Sequence, residues 1–156
     1  MSDYTTVYAA EIVKTAPQED GSLLVYGKAS GSGLDLDDQV CDASWLNTAM
    51  PHWFTTGGNV REQHDSRRAV GKATEYDARD DGHYITARIV DPVARAKTEA
   101  GIFTGFSIGV KSPRVVKDAK ASGGRIVDGK IVEVSLVDRP ANPECTLTLV
   151  KAAAPG

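Results

Sequence analysis

A histidine, a serine and a glutamate are the residues of this chain whose types and settings could do chemistry together. His64 lies in VREQHDSRRAVG (residues 60–71), just after a stretch expected to be a short strand and before a charged turn. An imidazole with an ordinary pKa of about 6.5 is the usual general base near neutral pH. A lone histidine in such a place is more often a surface or packed group. Ser107 is the centre of GFSIG (105–109), with a glycine two positions away on each side. Those glycines let a backbone or a substrate come close. The pattern is superficially that of a nucleophile elbow, which requires a strand, a turn and a helix. Here Ile108, Gly109, Val110 and a polar stretch follow, so the serine belongs to a strand and needs a base brought from elsewhere. By itself a strand serine is structural more often than not.

Glu133 opens EVSLVDRPANP (133–143). Strand alternation places Glu133, Ser135 and Val137 on one face and Val132, Val134 and Leu136 on the other. A carboxylate in so apolar a strand is expensive to bury without a partner. Either this face of the sheet is exposed, or the carboxylate orients a histidine, the third role in a Ser–His–acid triad.

The elements that must position these groups are mostly strands. Residues 4–14 and 23–29 read as strands, with a turn at 17–22 between them and a flexible SGSG loop at 30–33. Asp42 is placed to cap a helix running to Met50, where Pro51 stops it. Trp45, with Trp53 nearby, gives that helix a Trp-rich face, suited to core packing or to a partner. Strands are expected at 60–64, 70–76 and 83–90, the last two joined by an Asp80-Asp81-Gly82 turn. Asp91-Pro92 starts a second helix that ends at Ala100 before Gly101. A strand at 103–110 leads into a polar stretch at 111–124, read as a mobile loop carrying Lys111, Arg114, Lys117 and Lys120. Residues 125–127 and 130–137 read as a second hairpin around Asp128-Gly129, and 146–150 as a last strand. About eight strands and two helices result. Helices that fall only between some strands imply a mostly antiparallel sheet or barrel with helices packed on it (α+β), not a doubly wound parallel sheet.

Composition excludes several classes. The 156 residues are 41% hydrophobic and 25% charged, which is ordinary globular usage. One domain over 1–150 with a tail at 151–156 is expected. No apolar run approaches the roughly 18 residues of a spanning helix, and no secretory signal is visible. A net charge of −3 gives no basic footprint for nucleic acid. Cys41 and Cys145 are expected to be reduced thiols. No CxxC or HxxxH spacing joins them with His52, His64 and His83, so no metal or other cofactor is expected.

Taken together, His64 in EQHD, Ser107 in TGFSIGV and Glu133 in VEVSLVDRPANP resemble the motifs of the tailed-bacteriophage prohead proteases, relatives of the herpesvirus assemblins. The opening YGKASGSGLDLDDQVCDASWL is similar too, and the resemblance spans about residues 24–151. It implies a small antiparallel β-barrel flanked by two or more helices. It implies a serine endopeptidase with Ser107 as nucleophile, His64 as general base and Glu133 as the orienting acid. Assemblins carry a second histidine in the third position; Glu133 follows the phage pattern, and His83 precedes Ser107 and so does not match. The assemblin arginine segment makes Arg139 the candidate at the oxyanion. The implied substrates are the scaffold, the major capsid protein and the protease itself, cut inside the assembling prohead in the host bacterial cytoplasm. A homo-oligomer, a dimer among the options, is implied, with no membrane or nucleic-acid partner. The terminal KAAAPG is consistent with a processed end. The competing expectation is a non-catalytic capsid- or tube-associated protein of the same fold.

Overall fold

A computed structural model describes the backbone of residues 4–8, 11–35, 38–139 and 150–151, and the side chains of 15–35 and 38–139. Ten strands and two helices occur among them. In order they are β1 (Tyr4–Tyr8), β2 (Glu11–Pro17), β3 (Leu23–Ser30), β4 (Gln39–Cys41), α1 (Ala43–Thr55), β5 (Asn59–Glu62), β6 (Ala69–Arg79), β7 (Gly82–Ile89), α2 (Pro92–Glu99), β8 (Gly105–Asp118), β9 (Ala121–Val137) and β10 (Val150–Lys151). The expected strand at 146–150 lies outside the described residues except for Val150.

The strands form one sheet in the order β1-β8-β9-β5-β6-β7-β3-β2-β10, with β4 also pairing β9. The mostly β architecture with two helices is as expected. The small antiparallel barrel is not. The hydrogen-bonded path is open, and three of its pairings are parallel: β4 with β9, β5 with β9, and β10 with β2. α1 joins β4 to β5, and because both run parallel to β9 the chain keeps its direction along that strand before and after the helix.

That crossover sets where the chain re-enters the sheet. β4 pairs with the first part of β9, Cys41 opposite Ile126, and β5 pairs eight residues further along, Val60 opposite Val134. The gap is about 26 Å of strand, and the 13 residues of α1 cover about 20 Å of it. Asp42 caps the helix, accepting the Trp45 N–H at 3.2 Å. Pro51 does not stop it, contrary to expectation; the helix continues to Thr55. Buried Met50 and Trp53 hold the last turns against the core. The Trp53 indole N–H donates to Asn59 Oδ1 at 3.0 Å, and the Thr55 hydroxyl donates to Pro51 O at 3.0 Å. Trp45 and Trp53 are both buried, so the Trp-rich face packs the core. α2 matches its reading: Asp91 accepts the Ala94 N–H at 2.9 Å, and Gly101 leaves the helix with φ +75°.

Two other expectations are corrected. The polar stretch 111–124 is no loop, but the far half of a β8–β9 hairpin, with Val115 opposite Ile126 and Asp118 opposite Ala121. Asp118 holds its turn, accepting from Lys120 N–H and from Arg125 Nε, both at 2.8 Å. Residues 125–127 and 130–137 are therefore one strand, not two. Gly129, at φ +138°, makes an irregularity inside that strand. A Cβ there would lie 2.7 Å from Val110 Cγ1, so only glycine lets the two strands pass this closely, and its carbonyl accepts the Trp45 indole N–H at 3.0 Å.

Phe106, Ile108 and Val110 of β8 join Val134 and Leu136 of β9 and Val60 of β5 in the core. Their alternates, Ser107, Glu133 and Ser135, occupy the opposite face of the same two strands. That face is polar, yet all three residues are 0% exposed.

Candidate active site

The buried polar face is built by register. Ser107 of β8 is directly opposite Ser135 of β9, and Gly109 is opposite Glu133. Gly105, Ser107 and Gly109 share one face of β8, so the serine has no side chain beside it on its own strand. Along the other edge of β8, β1 runs antiparallel with Tyr8 in register with Ser107.

The histidine is delivered to this face by a corner. β5 ends at Glu62, and Gln63 and His64 both take left-handed backbone angles, φ +50° and +57°. Two such non-glycine residues in succession are uncommon and need outside support. They have it. Gln63 N–H donates to Leu136 O at 2.8 Å, and His64 N–H donates to Ser135 Oγ at 3.1 Å. The Gln63 amide donates to Asp138 Oδ1 at 2.9 Å while its oxygen accepts the Asp138 N–H at 3.1 Å. Beyond the corner, Glu62 binds Arg68 at 2.9 Å and lies 3.8 Å from Lys97 of α2. Asp65 tightens the same turn; the Arg67 backbone N–H it accepts holds its carboxyl below the usual range.

The result is a continuous hydrogen-bonded chain. His64 Nε2 lies 2.7 Å from Ser107 Oγ, and His64 Nδ1 is hydrogen-bonded to Glu133 Oε1. Glu133 Oε2 accepts from the Ser135 hydroxyl at 2.5 Å. A carboxylate on Nδ1 places the ring proton there and leaves the Nε2 lone pair facing the serine hydroxyl. That is the state in which an imidazole can accept the serine proton. The His64 side chain is 15% exposed, the part of this chain that meets solvent.

Sequence reading located Ser107, His64 and Glu133, and the structure brings all three together. Arg139 lies exposed two residues past β9, next to Asp138 and so beside the His64 corner; it is not a link in the hydrogen-bonded chain. Ser135 was not foreseen as a site residue. Its signal was the alternation that set it on the Glu133 face. Gln63, which ties the corner to the end of β9, carried no signal in the sequence. Among the described residues no cluster of His, Cys, Asp and Glu could hold a metal ion, and no helix is long and apolar enough to cross a membrane. Cys41 is buried, and burial pushes its thiol pKa up, away from nucleophilic use.

The fold is shared with a viral assembly protease. The chain is structurally similar to the capsid assembly protease gp21 of bacteriophage T4, with a TM-score of 0.72 over 88% of this chain and 98% of that one. The two are 13% identical, so what they demonstrably share is the fold. No family model matches this sequence, and no curated protein matches it.

Proposed function

We propose that this protein is a serine endopeptidase of capsid maturation, cutting scaffold, major capsid protein and itself within the assembling prohead in the host cell. The observation that carries the proposal is the 2.7 Å contact from His64 Nε2 to Ser107 Oγ, on a ring whose other nitrogen is held by a buried glutamate. The capsid assembly role of the T4 structure supports the choice of substrate class.

In this reading His64 takes the Ser107 proton as Oγ bonds to the scissile carbonyl carbon. The tetrahedral intermediate collapses, the C–N bond breaks, and His64 gives the proton to the departing amine. Water, deprotonated by the same imidazole, then adds to the acyl carbon; the ester C–O bond breaks and His64 returns the proton to Ser107 Oγ. Glu133 fixes the tautomer and stabilises the imidazolium. Backbone N–H groups near Arg139 would hold the oxyanion.

The test is incubation of the protein and of Ser107→Ala with the cognate capsid and scaffold proteins, with cut sites mapped by mass spectrometry. The parent is expected to cut. Ser107→Ala should keep its fold and lose turnover on the order of 10⁶-fold. Cleavage by the mutant at the parent rate removes Ser107 from the mechanism. Intact substrates with the parent, and a stable copy in the mature particle, would instead mean a structural protein of this fold.

A further inference from the structure

The polar face holds one group that the proposed chemistry leaves without a role. We propose that Ser135 is a positioning residue of this site, fastening the base and the acid to each other through a single hydroxyl. The inference rests on the Ser–His–Glu reading above.

A serine hydroxyl offers one donor and two acceptor lone pairs. Here the donor goes to Glu133 Oε2 at 2.5 Å, and a lone pair takes the His64 backbone N–H at 3.1 Å. Each bond solves a separate problem. The left-handed turn at Gln63 and His64 carries the chain off the ladder, whose last bond is Gln63 N–H to Leu136 O. The next N–H, that of His64, would be a part-buried donor without a strand partner, an unfavourable state. Ser135 takes it, and so sets where the imidazole starts. The carboxylate has the complementary need. One oxygen serves the His64 ring, and without a second fixed bond it could rotate away from Nδ1. Ser135, two residues along the same strand, holds the other oxygen.

Ser135 is not a second nucleophile. Its proton is committed to a carboxylate, and the imidazole nitrogen facing a hydroxyl faces Ser107. A merely structural serine, one that only satisfies a buried carboxylate, would affect stability and leave the chemical step alone. The two roles therefore separate by kinetics.

The test uses the full chain, a fluorophosphonate probe for Ser107, and steady-state cleavage of a capsid- or scaffold-derived peptide. Ser135→Ala is expected to lower kcat and the labelling rate by about 10- to 100-fold, as loss of a hydrogen bond to a charged group does, with KM within about twofold. Ser135→Cys, close in volume but a weaker donor, should fall between the two and reads the same effect without opening a cavity. In the Ser135→Ala/Glu133→Gln double variant the losses should not multiply, because Ser135 acts through the groups it holds. Parent rates in Ser135→Ala or in Ser135→Cys, or losses that multiply, overturn the inference while a labelled Ser107 leaves the protease reading standing. A parent that is not labelled at Ser107 overturns both.

Discussion

Glu133 shows how much of the site a single residue type decides. It is fully buried in a strand whose other face is core, and its two carboxylate oxygens meet the His64 ring and the Ser135 hydroxyl. Glu133→Gln keeps its shape and removes its charge. An amide can hold the imidazole in the wrong tautomer and cannot stabilise the imidazolium, and the comparable change in a serine protease triad costs about 10⁴ in kcat. Peptide cleavage by Glu133→Gln is expected to fall about 10³- to 10⁴-fold with the far-UV spectrum unchanged; activity within tenfold of the parent would remove Glu133 from the triad. At this scale the sequence was legible only in combination: Ser107, His64 and Glu133 are each ordinary alone, and it is their three motifs together that resemble a known family. Ser135 was less so. A serine in a strand is common, and its meaning depends on a histidine N–H brought in from 71 residues away. The left-handed pair at Gln63 and His64 was not legible, since glutamine gives no sign of that conformation and histidine, though enriched in it among non-glycine residues, still adopts it only rarely.

At the scale of elements, the placement of His64 depends on the reach of α1. A helix ending at Met50 would span about 12 Å and leave most of the gap between the two β9 pairings to irregular chain. Continuing through Pro51 carries the chain toward the position opposite Val134, from which the corner can fold over Ser135. Proline was misread because its local cost was weighed without the tertiary gain from burying Trp53. A proline inside a helix still forfeits a hydrogen bond and crowds the preceding turn. Pro51→Ala should therefore raise stability by about 1–2 kcal/mol, the helix gain being partly offset by a more flexible unfolded chain. The measurement is the midpoint of urea unfolding, with Ser107 labelling unchanged. A lower midpoint would mean that the proline shapes the end of α1 to the benefit of the fold. The β8–β9 hairpin was misread for a related reason. Residues 111–124 look like loop because their charges face solvent, while the pairing that makes them strand lies in Ile126 and Arg125 across the ladder.

Across the whole molecule, four turns of the sheet are each pinned by an aspartate. Asp20 lies between β2 and β3, Asp65 between β5 and β6, Asp81 between β6 and β7, and Asp118 ends β8. Each accepts hydrogen bonds that hold its pKa down: Ser22 and then Arg88 for Asp20, which falls to about 2; the Arg67 N–H for Asp65; the Tyr84 hydroxyl for Asp81; the Lys120 N–H and Arg125 for Asp118. His83 is a different case. It is buried against Tyr76, whose hydroxyl lies 2.6 Å from its Nδ1, and burial followed by the charge of Lys28 lowers its pKa. In both cases the unfolded chain binds more protons than the folded one, so stability rises with pH. The windows differ. The aspartates contribute fully above their unfolded pKa of about 4 and lose that contribution as the pH falls through their lower folded values, toward about 2 for Asp20. His83 contributes fully above its unfolded pKa of about 6.5, and its share declines as the pH falls below that value. Melting temperatures recorded from pH 8 to pH 2 should therefore fall in two stages. In His83→Gln, which cannot acquire a proton there, the decline below pH 6.5 should be shallower while the steep acid stage near pH 4 to 2 remains. A parent whose melting temperature is flat between pH 7 and 5, or a His83→Gln variant that declines just as the parent does there, would show that the histidine carries no such linkage and leave the turn aspartates as the acid-sensitive part of the sheet.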